Sequence, residues 1–309
     1  MVEALSNFFA ALGPTVLNNL ELIGVYVILA LGLKMINGLA GMFSLGHAGF
    51  WAIGAYTSGA ITTYNPLHLP WFLAFAAGIL CAILFAGAAG LLIAVPCLRL
   101  AGDYLAIATL GFGIIIVSVL YNWKLIGAAT GMTGIPTYAS KGFIWLCVGA
   151  TLVFYYRVCY SNIGRVIRAL REDEIASQSI GINRVRSKAL VFVLGAGIAG
   201  LAGALYANSA TYLNPSGFEF DQSIKVLTMV VLGGLGSITG VTIAAIGLTI
   251  MPELLRLLHL EDYQMLVFAL VLLLMVLLRP QGLMGRKELW DFAPFAKHFH
   301  PDKPGGQAA

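Results

Sequence analysis

The sequence is short of charge. Of its 309 residues, 18 are Lys or Arg and 14 are Asp or Glu, 10% in all, where a soluble domain carries about 25%. That shortage excludes a soluble globular enzyme, a disordered chain and a nucleic-acid-binding protein. A formal net charge of +4 is too small to point to a polyanionic partner. Cysteine is scarce and unpatterned. Cys81, Cys97, Cys147 and Cys159 form no C-x-x-C pair and no zinc-like spacing with histidine, and they read as small buried hydrophobes. No lysine is followed by Ser or Thr, so no G-x-x-x-x-G-K-[ST] phosphate loop is present. H-E-x-x-H and G-x-S-x-G are missing too. Neither nucleotide hydrolysis through a phosphate loop nor intramembrane hydrolysis has its usual residues here. The first 30 residues lack the basic n-region and A-x-A site of a cleavable secretory signal.

Apolar sequence fills the space: 59% of the chain is hydrophobic and mean hydropathy is +0.88. A bilayer core takes about 20 apolar residues as helix, and a charge at its centre costs roughly 2.5–3.5 kcal/mol. Gaps between charges therefore delimit the spans. Uncharged runs extend from Glu3 to Glu21, Lys34 to Arg99, Asp103 to Lys124, Lys141 to Arg157, Lys188 to Glu219, Lys225 to Glu253 and Asp262 to Arg279. Pro66 and Pro70 divide the longest run, and the glycines at 233, 234 and 236 divide a later one. The reading is an all-α polytopic transmembrane helical bundle of eight to ten spans, with nine placed at 16–36, 46–64, 70–95, 104–121, 142–160, 189–211, 222–235, 238–257 and 262–279. The short 222–235 segment is expected to be broken or re-entrant.

Orientation follows from Lys and Arg. Seven of the 18 basic residues lie between Arg157 and Lys188, and five lie from Arg279 onward. Both regions are expected to be cytoplasmic, which puts the N-terminus outside and the C-terminus inside. Lys124 and Lys141 then fall outside, against the rule. Trp71, Trp123, Trp145, Tyr64, Tyr121 and Tyr138 sit near span ends, where amphipathic rings favour the headgroup region. The domain reading is a transmembrane domain over 1–290 with a polar cytoplasmic loop at 161–188, and a short cytoplasmic tail at 291–309. An internal repeat is also expected: Leu39, Gly41, Ser44, Ala52, Ile53 and Gly54 recur as Leu232, Gly234, Ser237, Ala245, Ile246 and Gly247. Chance similarity in Gly/Ala/Leu-rich sequence is the alternative.

The 161–188 loop reads as one helix, capped by Ser161 or Asn162 and ended at Gly181 in the left-handed conformation. Arg165, Arg168 and Arg171 share a broad face, and Glu172, Asp173 and Glu174 form an acidic knot ahead of Ile175, Ala176 and Ser177. Positive-inside topology accounts for the arginines. The acidic knot and small residues suggest a helix gripped by a partner.

This loop resembles the coupling loop of ABC importer permeases, whose E-A-A…G pattern docks on an ATPase subunit. Glu174, Ile175, Ala176 and Gly181 match it loosely, with the glycine one residue late and no trailing I-x-L-P. The stretches Met35–Phe50, Leu98–Gly113, Gly164–Asn183 and Arg279–Gly285 are similar to signatures of branched-chain amino acid permeases, M-type subunit. The matches run from about 25 to 287. The resemblance implies a permease subunit that performs no covalent chemistry. It implies ATP held on two separate ATPase subunits, a second homologous permease, a periplasmic substrate-binding protein and a bacterial inner membrane. Substrates of such relatives extend from Leu, Ile and Val to other amino acids, urea and short amides. It places coupling on Arg168, Arg171, Glu172, Asp173, Glu174, Ala176 and Gly181.

Polar groups inside a membrane are functional candidates. Those read for the path are Asn37, Gly41, Ser44, His47, Tyr56, Asp103, Thr109 and Ser237. Each has a plainer reading. His47 satisfies a carbonyl freed by its neighbouring glycines, Asp103 pairs with Arg99 at i, i+4, and the hydroxyls and amide bond a neighbouring helix. Glu219 and Asp221, in the outer 212–221 segment, meet a binding protein or are simply solvated. A secondary transporter driven by an ion gradient is the rival; it needs a mid-span carboxylate, and Asp103 comes nearest. A non-transporting assembly subunit is the second rival.

Overall fold

A computed structural model describes residues 19–65, 68–97, 102–257, 260–279 and 281–285. The chain is helical almost throughout. All nine expected spans are helices: α1 (Leu20–Lys34, continuing as a π-helical turn over Met35–Leu39), α2 (His47–Tyr64), α3 (Trp71–Cys97), α4 (Asp103–Asn122), α5 (Lys141–Tyr160), α8 (Arg184–Ala207), α9 (Phe220–Gly233), α10 (Ile238–Leu257) and α11 (Gln264–Leu278). The polar loop supplies α6 (Asn162–Glu172) and α7 (Glu174–Ser179). Among the described residues, six helices are long and apolar enough to cross a membrane alone: α1 with its π turn, α3, α4, α5, α8 and α10. The other three fall short for a physical reason: α2 has 18 residues and many small polar ones, while α9 and α11 have 14 and 15.

Helix α1 is the hub. It carries only Glu21 and Lys34 as charges, at its two ends, and from Ile23 to Leu39 it is buried throughout. It packs against α8, α10, α5 and α9, while α3, α8 and α2 form the tightest layer. Lipid offers no hydrophobic force between helices, so such contacts depend on close packing by small residues. Gly54 of α2 faces Gly200 of α8, and a Cβ on Gly54 would stand 2.3 Å from the Gly200 carbonyl oxygen. Side chains larger than hydrogen hold these backbones apart. By contrast α3, α4 and α5 leave long apolar faces open, with Leu84, Leu92, Ile107 and Leu146 each more than 60% exposed. Those are faces for lipid or for another membrane chain.

The two ends of the bundle are tied separately. At one end Met132 pairs with Leu213 in a two-residue antiparallel ladder, β1 (Met132–Thr133) with β2 (Tyr212–Leu213), and the Tyr64 hydroxyl donates to the Leu125 carbonyl at 2.6 Å. At the other end, Leu283 N donates to the Leu232 carbonyl at 2.8 Å, and Arg171 of the charged loop donates to the Gly38 carbonyl. The charged-loop end is the inner end on the positive-inside expectation. On that expectation, Leu20 lies at the outer end and 281–285 at the inner one, the arrangement expected for nine crossings. The division at 290, the tail 291–309 and Arg99 lie outside the described residues.

The repeat has a structural counterpart at its start. In both copies a helix ends at the inner side and is followed by a glycine with positive φ (Gly41, +66°; Gly234, +98°), which a Cβ would disfavour. Serine and a new helix come next. The copies then diverge: α10 starts at Ile238, one residue after Ser237, whereas α2 waits until His47. None of the four cysteines is in a disulfide; Cys97 and Cys147 are buried but Cys81 and Cys159 only half-buried, so the expectation of full burial holds for two.

Candidate functional site: a helix that starts at mid-depth

The segment Ala40–Gly46 does not stay at the inner surface. It climbs back into the bundle. Asn37 Oδ1 accepts from Ser44 N at 3.3 Å. The next amide, Leu45 N, donates to Thr109 Oγ1 at 3.1 Å, and the Thr109 hydroxyl donates to the Ala106 carbonyl at 2.9 Å. Gly46 then lies so close to α4 that a Cβ would stand 2.0 Å from the Thr109 carbonyl oxygen. His47 Nε2 reaches the Leu29 carbonyl at 3.2 Å, as the donor. Leu29 is the tenth residue of the twenty-residue span Leu20–Leu39, and Thr109 the seventh of the twenty in Asp103–Asn122. Helix α2 thus begins near the middle of the membrane. Non-helical backbone at that depth survives only where protein buries it or it lines a cavity.

Both conditions are met. Ser44 and His47 are each 1% exposed, and Asn37 Nδ2, Ser44 Oγ and His47 Nδ1 are buried without a hydrogen-bond partner. Unpaired buried polar atoms cost on the order of 1–3 kcal/mol each, so three within eleven residues single this segment out as a candidate site. On its outer side the start of α2 borders a cavity of about 270 Å³, lined by Leu45, Ala48 and Gly49, by a stripe of α4 from Leu110 to Tyr121, and by Phe218–Phe220 and Ser223. Ala48 N donates across to Ser223 Oγ at 3.1 Å, joining the beginnings of α2 and α9.

Five of the eight path candidates gather here. Asn37, Ser44, His47 and Thr109 hold the climbing segment, and Gly41 turns the chain into it. The other three lie elsewhere. Tyr56 is near the outer end, its hydroxyl donating to the Leu213 carbonyl at 3.4 Å. Asp103 stands exposed as the first residue of α4. Ser237 caps α10 at the inner end, accepting from Gly240 N at 3.1 Å. Sequence reading missed Leu45, whose amide fixes the climb, and Ser223 in the cavity wall; Glu219, named there as an outer-segment acid, also lines the cavity. One signal pointed to the segment: no charge occurs between Lys34 and Arg99, and a surface loop there would be expected to carry some.

The charged loop is two helices, not one. Asp173 breaks it: its backbone is extended (φ −148°, ψ 110°) and its carboxylate caps α7, accepting from Ile175 N at 2.9 Å and Ala176 N at 3.0 Å. An acidic residue that can cap a helix competes with continuing one. Ser161 caps α6 by accepting from Gly164 N at 3.2 Å, and Gly181 follows α7 at φ +90°, both as expected. The arginines divide their contacts. Arg168 reaches back to the end of α5, donating to the Cys159 carbonyl at 2.9 Å. Arg171 crosses to the Gly38 carbonyl and lays its chain along Gly41. Glu174 turns inward onto α8, with Arg184 Nε at 2.9 Å and Lys188 beside it. Glu172 and Ala176 face water. So do Ile175 and Ile180, the most exposed apolar side chains of the loop, at 81% and 77%.

A broken helix held at mid-depth in a multi-pass bundle is the kind of backbone that lines the passage of a membrane transport protein. The family described as branched-chain amino acid transport system / permease component matches residues 15–276, and this chain belongs to it. The high-affinity branched-chain amino acid transport system permease protein LivM of Escherichia coli is 38% identical over 295 residues, covering 84% of this chain and 68% of that one. The LivH permease protein of the same system in Escherichia coli is 28% identical, covering 88% and 95%. A probable LivM of Methanocaldococcus jannaschii is 25% identical. The greater likeness to the Escherichia coli LivM than to its LivH agrees with the M-type resemblance. No solved structure matches the chain.

Proposed function

We propose that this chain is one of two related permeases in an ATP-driven importer of leucine, isoleucine and valine in a bacterial inner membrane. The observation that carries the mechanism is the single connection from surface to mid-depth. Arg171 at the end of α6 holds Gly38 and Gly41, and those residues lead without interruption into the segment that ends at His47. A push on the charged loop reaches the centre of the bundle through nine residues of chain. Alternating access follows when two ATPase subunits close and open beneath the loop. ATP is bound on those subunits.

The exposed Ile175 and Ile180 on the short α7 supply an apolar tip for the ATPase surface, ringed by charges that fix its register. The open face of α4, where Ile114, Ile115, Ser118, Val119, Asn122 and Trp123 line a shallow groove beside the cavity, is the face for the second permease. Polar Ser118 and Asn122 fit a protein neighbour better than lipid tails. A periplasmic binding protein delivers substrate to the outer end. The chain itself makes and breaks no covalent bond. The ion-driven alternative gains nothing from Asp103, which stands exposed at the start of its helix.

Extraction of this chain from its native membrane in mild detergent, with mass spectrometry of what accompanies it, tests the assembly. Two ATPase subunits and a second permease are the expected companions. Recovery of the chain alone after cross-linking would refute it.

A further inference from the structure

The cavity beside the start of α2 has an uneven chemistry. One wall is a helical stripe of α4 in which Leu110, Ile114 and Val117 follow one another at three- and four-residue steps. At the outer end of that wall stands an acid. Glu219 occupies the N-cap position of α9, yet its side chain makes no capping hydrogen bond. Its carboxylate instead turns across the cavity mouth, where the Tyr121 hydroxyl donates to Oε1 at 2.7 Å. No basic side chain among the described residues pairs with it. An acid at a helix N-terminus ordinarily stabilises that terminus by bonding its amides. This one gives up the cap and presents an oxygen to a small apolar chamber.

We propose, building on the importer reading above, that this cavity is the outer transit subsite for the amino acid. Glu219, steadied by Tyr121, receives the substrate's ammonium group, and the Leu110–Ile114–Val117 stripe receives its branched aliphatic chain. About 270 Å³ is close to the lower end of ligand pockets, roughly 300–1,000 Å³, which suits one small zwitterion. The arrangement assigns the path a preference of its own, for a cation at one end and a hydrocarbon at the other. Urea and short amides satisfy neither end fully. Glu219 is thereby a substrate-contacting residue of the permease and no part of the surface on which the binding protein docks.

The test uses the complete transporter, with this chain and its native partners reconstituted in proteoliposomes containing ATP. Initial uptake of radiolabelled leucine is measured against increasing leucine-loaded binding protein. Glu219→Gln is expected to lower the maximal rate at least tenfold, with the half-saturating concentration of binding protein unchanged. Glu219→Asp is expected to keep an intermediate rate. Leu110→Trp, on the cavity wall and outside the groove assigned to the second permease, is expected to lower the maximal rate independently by filling the chamber. A wild-type maximal rate in both Glu219→Gln and Leu110→Trp overturns the proposal. So does a raised half-saturating concentration with an unchanged maximal rate, which would return Glu219 to the docking surface. If the unaltered transporter moves no leucine, the substrate reading falls and this proposal falls with it.

Discussion

Arg171 and Gly38 are 133 positions apart in the chain, and they join the surface loop to the foot of the central helix. The guanidinium donates to the Gly38 carbonyl, and its methylenes lie against Gly41, where a Cβ would come within 3.1 Å of Arg171 Cγ. The π-helical turn Met35–Leu39 explains why this carbonyl is available. Widening of the helix there shifts the backbone bonds out of their α register, and carbonyls near a helix end need outside donors.

Arg171→Ala removes that donor and its packing. Leucine uptake by the assembled transporter is expected to fall at least tenfold while ATP hydrolysis stays within about twofold of the unaltered complex. Arg171→Lys keeps a charge but not the fork-shaped donor, and is expected to fall between the two. Parallel loss of uptake and hydrolysis would contradict a transmitting role. The ratio of leucine moved to ATP hydrolysed in proteoliposomes reads the difference.

Glu174 faces inward, so its charge acts within the chain. Glu174→Lys places a third cation beside Arg184 and Lys188 and is expected to detach α7 from the start of α8, uncoupling hydrolysis from uptake while leaving the protein in the membrane. Adding Lys188→Glu restores an opposite-charge pair and is expected to recover part of the uptake. Normal ATP-driven uptake in the single variant would remove Glu174 from the coupling path.

Asp173 is the cap of a helix only six residues long, which has little other local support. Asp173→Ala is expected to cost α7 about 1 kcal/mol. Hydrogen exchange at the Ile175 and Ala176 amides should quicken, and copurification of the ATPase subunits should weaken. Asp173→Asn, which still caps, is expected to behave as the unaltered chain.

The two glycines aligned by the repeat separate packing from chance. Gly54→Ala would drive a Cβ to 2.3 Å from the Gly200 carbonyl oxygen, whereas Gly247 has nothing within 4 Å of where its Cβ would stand. Gly54→Ala is expected to destabilise the bundle by roughly 1–3 kcal/mol, and Gly247→Ala to leave it unchanged. Thermal unfolding of each variant in detergent, followed by fluorescence or light scattering, reports both.

Much of the fold was legible because membrane burial is a blunt constraint. Charge gaps located all nine helices, and the errors fell at their ends. Helix α8 begins at Arg184 and ends at Ala207, not at 189 and 211, because Arg184, Arg186 and Lys188 extend the helix into the inner surface region that the charge rule treats as loop. The break at Asp173 was hidden, since acidic residues in series are compatible with helix and only the side chain's bond to Ile175 N decides otherwise. The candidate site was half legible. Asn37, Ser44, His47 and Thr109 stand out by polarity alone, but that they hold one climbing segment depends on distant contacts such as Leu45 N with Thr109 Oγ1, 64 positions apart. Nothing local in Ser44-Leu45-Gly46-His47 states the depth at which α2 begins. The contact of Glu219 with Tyr121 is likewise not legible in sequence, since the two lie 98 positions apart.

The central claim is that ATP bound on partner subunits, and no ion gradient, moves substrate through this chain. It is tested most directly by leucine uptake into proteoliposomes of the complete transporter, with and without internal ATP and with ionophores that collapse proton and sodium gradients. Uptake that requires ATP and persists with the gradients collapsed is the predicted result. Uptake that proceeds without ATP and vanishes with the ionophores would contradict it.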